Sequence, residues 1–122
     1  IFMDKALKEQ ALVIFGDGRQ TRDFIDVADV VEVNRLAASA SWPLPEVINV
    51  ATNIETSIID VAEMILEMTG NATDPVFEEP RKCDIVRSFA DNRQLFESFD
   101  YKPQIGIHEG LAELCKAAQT SQ

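Results

Sequence analysis

The sequence is poor in most of the residues from which a self-contained catalytic or metal site is built. It has one histidine, two cysteines, one tyrosine and one tryptophan among 122 residues. Cys83 and Cys115 form no Cys-x-x-Cys pair and stand beside no histidine. That spacing argues against a disulfide framework and a zinc site, and leaves free thiols of a reducing compartment, the cytoplasm by default. His108 has Glu109 beside it but no serine or cysteine in a nucleophile arrangement, and reads as a surface position on a helix. Positive charge is also scarce: 11 lysines and arginines face 21 aspartates and glutamates, a net charge of −10. Nucleic acid and anionic membrane, which bind through a basic footprint, are therefore not expected partners. No apolar run approaches the roughly 18 residues of a membrane span, and no basic stretch followed by an apolar one marks a secretory signal.

What is present is ordinary globular material, 46% apolar and 26% charged, enough for one domain or part of one. "IFMDKALKEQ" reads as a helix tail with Phe2, Ala6 and Leu7 inward. "ALVIF" (11–15) is a β-branched apolar run ended by Gly16-Asp17-Gly18, a buried strand entering a turn. "TRDFIDV" alternates as a second extended segment with Phe24 inward. Asp26 or Asp29 then caps a helix with Val27, Val30, Val31 and Ala37 on its stripe. "SASWPLPE" is a loop whose Trp42 caps the core or an interface. "VINVA" (47–51) is apolar enough to be a strand covered on both faces.

The clearest helix starts at Thr56 or Ser57, with Asp60 behind Ser57 as a capping-box acid and Gly70 as its stop. Ile58, Val61, Ala62, Ile65 and Leu66 form its inner face. "PVFEE" predicts a short strand and "RKCDIVRSFAD" a loop that becomes extended. Asp91 caps a helix carrying Leu95, Phe96 and Phe99. Tyr101 packs in a turn, and a last helix after Gly106 places Ile107, Leu111, Leu114, Cys115 and Ala118 on one stripe. Short strands alternating with about four to five helices predict an α/β fold.

Three groups of residues invite a functional reading. Gly16-Asp17-Gly18 lacks the third glycine of a dinucleotide fingerprint, since position 21 is Thr, and no Gly-Lys-Ser/Thr occurs; alone it is a turn. Arg22, just after that turn, can present its planar fork to a phosphate with the neighbouring Asp23 fixing its rotamer; the alternative is a surface ion pair. Arg81 and Asp84, three apart in a proline-led loop, offer a cation for a phosphate and a carboxylate for a ribose diol, or else a solvated charged loop.

Taken in order, "VIFGDGRQTRDFIDVADV", "VINVATNIETSIIDVAEMI", "PRKCDIVRSFAD" and "LFESFDYKPQIGIHEGL" resemble the C-terminal portion of the NAD-dependent nucleotide-sugar epimerases and dehydratases. These are extended short-chain dehydrogenase/reductases, and UDP-glucose 4-epimerases are the type most similar. The resemblance implies that residues 1–122 are the substrate-binding part of such an enzyme without a complete Rossmann domain. Its implied site residues are Val13 and Phe15, whose backbone meets the nucleotide base, Arg22 on the diphosphate, and Arg81 with Asp84 on phosphate and ribose. Asp17, Arg19 and Asp23 would shape the loop that presents Arg22. The sequence departs from the family pattern at Asp26, where an aromatic is usual, at Lys82 and Cys83, which replace a Pro-Gly pair, and at Ala51 and Asn53, which replace glycines.

The resemblance also implies what a complete enzyme needs. Family members hold NAD on a glycine-rich βαβ unit and draw a proton with a Tyr-x-x-x-Lys pair. Here Tyr101 is followed four residues later by Ile105. NAD thus belongs to the parent family, with none expected to bind this chain alone, and turnover is not expected without the rest. Two accounts follow: the nucleotide-sugar-binding half of an enzyme, for which the Ile1 start speaks, or a stand-alone, degenerate binding module of the same fold. The expected partners are a nucleotide sugar, UDP-linked by overall likeness, an N-terminal NAD domain, and further copies of the chain through its uncovered apolar surface.

Overall fold

In the computed structural model, which describes residues 1–120, ten elements follow one another. They are α1 (Phe2–Leu7), β1 (Val13–Phe15), β2 (Thr21–Arg22), α2 (Val27–Ser39), β3 (Thr56–Ser57), α3 (Ile58–Thr69), β4 (Val76–Glu78), β5 (Arg87–Ser88), α4 (Arg93–Phe99) and α5 (Ile107–Thr120). The strands make a parallel β1–β4 pair and a small β3–β2–β5 sheet, in which β2 runs antiparallel to β3 and parallel to β5. Five helices with short strands match the α/β expectation.

α3 organises the core. Ser57 accepts a hydrogen bond from the Asp60 amide at 3.1 Å, and Gly70 closes the helix in the left-handed region at φ 68°. Between these caps Val61, Ala62 and Ile65 recur at helical spacing and are buried, with Ile58 and Leu66 at the margin. They pack on Met3 and Ala6 of α1, on Leu12 and Ile14 beside and within β1, and on Cys115 of α5. Leu12 and Ile14 are 0% and 1% exposed, and each such side chain contributes about 1.5–3 kcal/mol through burial. A parallel pair such as β1–β4 needs a crossover, and α3 supplies it.

Several expectations are corrected. Residues 47–51 are not a strand: they have no neighbouring strand among the described residues, and Val47 is 70% exposed. The α2 stripe is turned away from the core, with Val27 and Val31 exposed and Asp29 and Val33 inward. The reason is polar. Asp29 accepts from the Tyr101 hydroxyl, from the Gln104 amide at 2.8 Å and from the Ile105 amide at 3.1 Å. Three donors that converge on one buried carboxylate set the helix rotation against the valine stripe. Tyr101 is therefore a hydrogen-bond donor as well as a packing residue. The cap of α2 is Asp26, which accepts from the Ala28 amide at 2.8 Å.

The N-cap position of α4 is Asn92, not Asp91, and the Asn92 side chain donates to the Ala51 carbonyl at 3.0 Å instead of capping. Asp91, one residue earlier, accepts from the Arg93 amide at 3.0 Å. Leu114, placed on the inner stripe of α5, is exposed, and exposed Trp42 does not cap the core.

Candidate functional site

The Gly16-Asp17-Gly18 turn folds back on the start of α3. Gly18 lies at φ 76°, and a Cβ there would stand 3.0 Å from Ile59 Cβ and 3.2 Å from Ile14 Cγ2, so glycine is needed for both conformation and approach. The Gly18 and Gln20 carbonyls accept from the Ile59 and Ile58 amides at 3.0 and 3.1 Å. Two of the first amides of α3 are thereby occupied by the loop and do not face a phosphate. The turn itself leads into β2 and not into a helix, so it does not open a dinucleotide cradle.

The turn delivers Arg22 to the loop between β4 and β5. Arg22 Nη1 donates to the Thr21 and Ile85 carbonyls at 2.7 and 2.6 Å, and Nη2 donates to Asp84 Oδ1 at 2.8 Å. The partner of Arg22 is thus Asp84, and the expectation that Asp23 fixes its rotamer is corrected. Of the five guanidinium protons, the Nε proton and one Nη2 proton have no partner among the described residues. Asp84 likewise keeps Oδ2 free of such partners.

Asp23 has a different task. Its Oδ1 accepts from the Thr52 amide at 3.0 Å and from the Thr52 hydroxyl, and its Oδ2 accepts from the Asn53 amide at 2.9 Å. Asn53 sits at φ 60°, so it keeps the left-handed conformation that a glycine would take, held there by Asp23. Cys83 does the same at φ 64° in the Arg81–Asp84 turn, which is closed by the Asp84 amide on the Arg81 carbonyl at 3.3 Å. Asp17 accepts from the Arg19 amide at 3.0 Å, a local turn bond.

All five residues singled out in the sequence, Val13, Phe15, Arg22, Arg81 and Asp84, line one cavity of about 490 Å³. They come from β1, β2 and the β4–β5 loop, which the β1–β4 and β2–β5 pairings bring together. On β1, the Leu12 carbonyl and the Gly16 amide bond to β4, and the alternation of the parallel ladder turns the backbone of Val13 and Phe15 to the opposite, open edge. Arg81 lies over the Phe15 ring, its Cζ 4.0 Å from the centroid, with no carboxylate partner among the described residues. A second cavity of about 970 Å³ adjoins the first.

Lys5, Gln20 and Glu78 also line the first cavity and were not singled out. Gln20 donates to the Phe15 carbonyl at 2.8 Å and so closes the turn. Lys5 belongs to a helix that the sequence reads only as a tail, and its approach to β1 is a tertiary contact with no local signal. Beside the site, Glu55 accepts from Arg87 at 3.0 and 2.5 Å and from the Thr21 hydroxyl at 2.5 Å. The Arg87 and Thr21 hydrogen bonds hold its carboxyl down at about 2. Among the described residues no group of three or more His, Cys, Asp or Glu is placed to hold a metal ion.

Residues 1–51 match the family model described as NAD dependent epimerase/dehydratase family. The chain is 38% identical over 111 residues to a putative UDP-glucose 4-epimerase of Methanocaldococcus jannaschii, covering 91% of this chain and 35% of that protein. It is 34% identical to the UDP-glucose 4-epimerase of Mycolicibacterium smegmatis, covering 93% of this chain and 36% of that one. The crystal structure of the UDP-glucose 4-epimerase of Thermotoga maritima with UDP-glucose superposes on 98% of this chain and 38% of its own, with a TM-score of 0.92 at 31% identity. The chain therefore spans about a third of the length of the curated relatives it matches.

Proposed function

The chain belongs to the NAD-dependent epimerase/dehydratase family, and on that premise we propose that it is the nucleotide-sugar-binding part of a UDP-glucose 4-epimerase-like enzyme. The observation that carries this reading is the convergence of Val13, Phe15, Arg22, Arg81 and Asp84 on one cavity of about 490 Å³, within the 300–1,000 Å³ or so that small-ligand sites occupy. On the open edge of β1 the Val13 N–H and C=O and the Phe15 N–H suit the mixed donors and acceptors of a uracil imide edge, the Phe15 carbonyl being taken by Gln20. The remaining protons of Arg22, with Arg81, take the diphosphate, and Asp84 Oδ2 accepts from a ribose hydroxyl. Three cations to two carboxylates line the cavity, a local excess that suits an anion in a chain of net charge −10.

Residues 1–122 hold the substrate and do not carry out the reaction alone. The absence of a Tyr-x-x-x-Lys pair from the sequence supports this. NAD and the proton-transferring pair come from an NAD domain outside these residues. The chain exposes 8,223 Å² at a mass of 13.6 kDa, about 1,700 Å² more than a monomer of that size ordinarily does. That excess supports packing against the NAD domain and, in its absence, self-association of the chain. Among the described residues no helix is long and apolar enough to cross a membrane.

Calorimetric titration with UDP and UDP-galactose tests this reading. Both are expected to bind, and Arg22→Ala or Arg81→Ala is expected to weaken binding by about tenfold, the loss of a charge-assisted hydrogen bond. Wild-type chain that releases no heat at millimolar ligand would refute it.

A further inference from the structure

The ring that faces the candidate base site is already covered. The Arg81 guanidinium stands 4.0 Å above the Phe15 centroid, well inside the roughly 6 Å range of a cation–π contact. Phe15, Gln20, Glu78, Arg81 and Asp84 line both cavities, so Arg81 forms part of the wall between them. The loop that carries Arg81 is fixed at its other end, where Arg22 grips Asp84 and the Ile85 carbonyl. Arg81 itself is held by the ring and by the 3.3 Å bond from the Asp84 amide to its carbonyl. Val13 and Phe15, two apart on β1, present their side chains on one face, and the guanidinium lies over the Phe15 ring beside the open edge.

We propose that Arg81 is a displaceable cover on the nucleobase site: in the unliganded chain its guanidinium occupies the Phe15 ring, and a nucleoside diphosphate exchanges places with it. The base takes the ring face and the guanidinium turns to the diphosphate. The inference rests on the nucleotide-binding reading above and adds a consequence of opposite signs. A nucleotide compensates Arg81 for the lost ring contact with an anion. A nucleoside without phosphate displaces it and gives nothing in return. Arg81 therefore favours nucleotides and opposes nucleosides at one site, and so screens out the unphosphorylated compound.

The test is calorimetric titration of the 122-residue chain with UDP and with uridine, on wild type and on Arg81→Ala. The variant is expected to bind UDP about tenfold more weakly and uridine about two- to fivefold more tightly, the factor that corresponds to one exposed cation–π contact. A second readout is the Arg81 δ-methylene proton resonance, which the Phe15 ring shifts upfield in the free chain. It is expected to return to its ordinary position at saturating UDP, and to lie there without ligand in Phe15→Leu. UDP binding that weakens while uridine binding is unchanged or weaker would make Arg81 a phosphate ligand only and overturn the cover. An upfield shift that persists at saturating UDP would do the same. No UDP binding by the wild type would remove the nucleotide-binding reading itself, and the cover with it.

Discussion

Two regions of this chain are built to different standards of completeness. Around α1, β1 and α3, apolar residues that share a stripe also share a core: Met3, Leu12, Ile14, Val61 and Ile65 are all buried. Around α2 and residues 40–54, side chains of the same chemistry face outward, with Val27 at 73%, Val31 at 61%, Val47 at 70% and Ile54 at 64% exposure. Polar clamps hold that second region in place: Asp29 to the 101–105 turn, Asn92 to the Ala51 carbonyl, and Asp23 to residues 52 and 53. The first region is closed by the hydrophobic effect, while the second is located by hydrogen bonds and leaves its apolar surface available. A hydrogen bond fixes position through direction, whereas burial needs a second surface.

The widest difference appears when one apolar side chain is removed from each region. Ile65→Ala, at a site 3% exposed, is expected to cost about 2–5 kcal/mol through lost burial and the cavity left behind. Val31→Ser, on the exposed face, is expected to change stability by less than about 0.5 kcal/mol. The same Val31→Ser is expected to lower the self-association of the chain in sedimentation at high micromolar concentration. Denaturant melts of both variants test the contrast, and equal costs would mean that α2 is as well covered as α3.

Much of this contrast is legible in the sequence, and the illegible part has a physical cause. The inner face of α3, its Ser57 cap and its Gly70 stop are local signals, and the structure keeps all three. The rotation of α2 is not local. Val27, Val30, Val31 and Ala37 mark an apolar stripe, but a carboxylate with donors from a turn more than 70 residues later decides which face turns inward. Residues 47–51 show the same limit. Their apolar, β-branched run specifies a strand only where another strand stands beside it, and among the described residues none does. At the candidate site the sequence supplies the chemistry of Arg22, Arg81 and Asp84 but not their pairing, because the contact between Arg22 and Asp84 depends on how β2 and β5 align.

The Asp29 clamp gives the next effect in size. Asp29→Ala leaves the Tyr101 hydroxyl and two amides without their acceptor, and is expected to cost about 3 kcal/mol. Burial works to raise the Asp29 pKa, but the hydrogen bonds from Tyr101, Gln104 and Ile105 prevail and hold it below the ordinary aspartate value. Its contribution is therefore present above the ordinary aspartate range and is lost as pH falls through the lowered folded value. Tyr101 bounds the clamp on the other side. Burial first, then the bond to Asp29 and its charge, push the phenol up to about 12. That contribution is complete below the ordinary tyrosine value of about 10 and is lost as pH rises from there to about 12. Urea midpoints of wild type and Asp29→Ala are expected to differ most between these limits and less beyond either, the high-pH loss being that of the Tyr101 bond alone, since the Gln104 and Ile105 amides do not titrate. A difference independent of pH would locate the effect in packing and not in the clamp.

The smallest effect compares the hydrogen-bonded region with the β4–β5 loop at backbone level. Cys83, beside the candidate site, and Asn53, in the clamped segment, both lie in the left-handed region, at φ 64° and 60°. Their costs differ because their chemistry does. Asparagine tolerates that conformation, and the Asp23 carboxylate accepts its amide at 2.9 Å, whereas an ordinary side chain there costs roughly 1–2 kcal/mol. Glycine at position 83 removes that cost but loses about 0.5–1 kcal/mol more to chain entropy. Cys83→Gly is thus expected to stabilise by up to about 1.5 kcal/mol, and Asn53→Gly to be neutral or slightly destabilising. Thermal melts of the two variants decide it. An equal gain at both positions would mean that Asp23 does not offset the strain at Asn53, and the hydrogen-bonded region would then be held no better than the loop that carries Arg81.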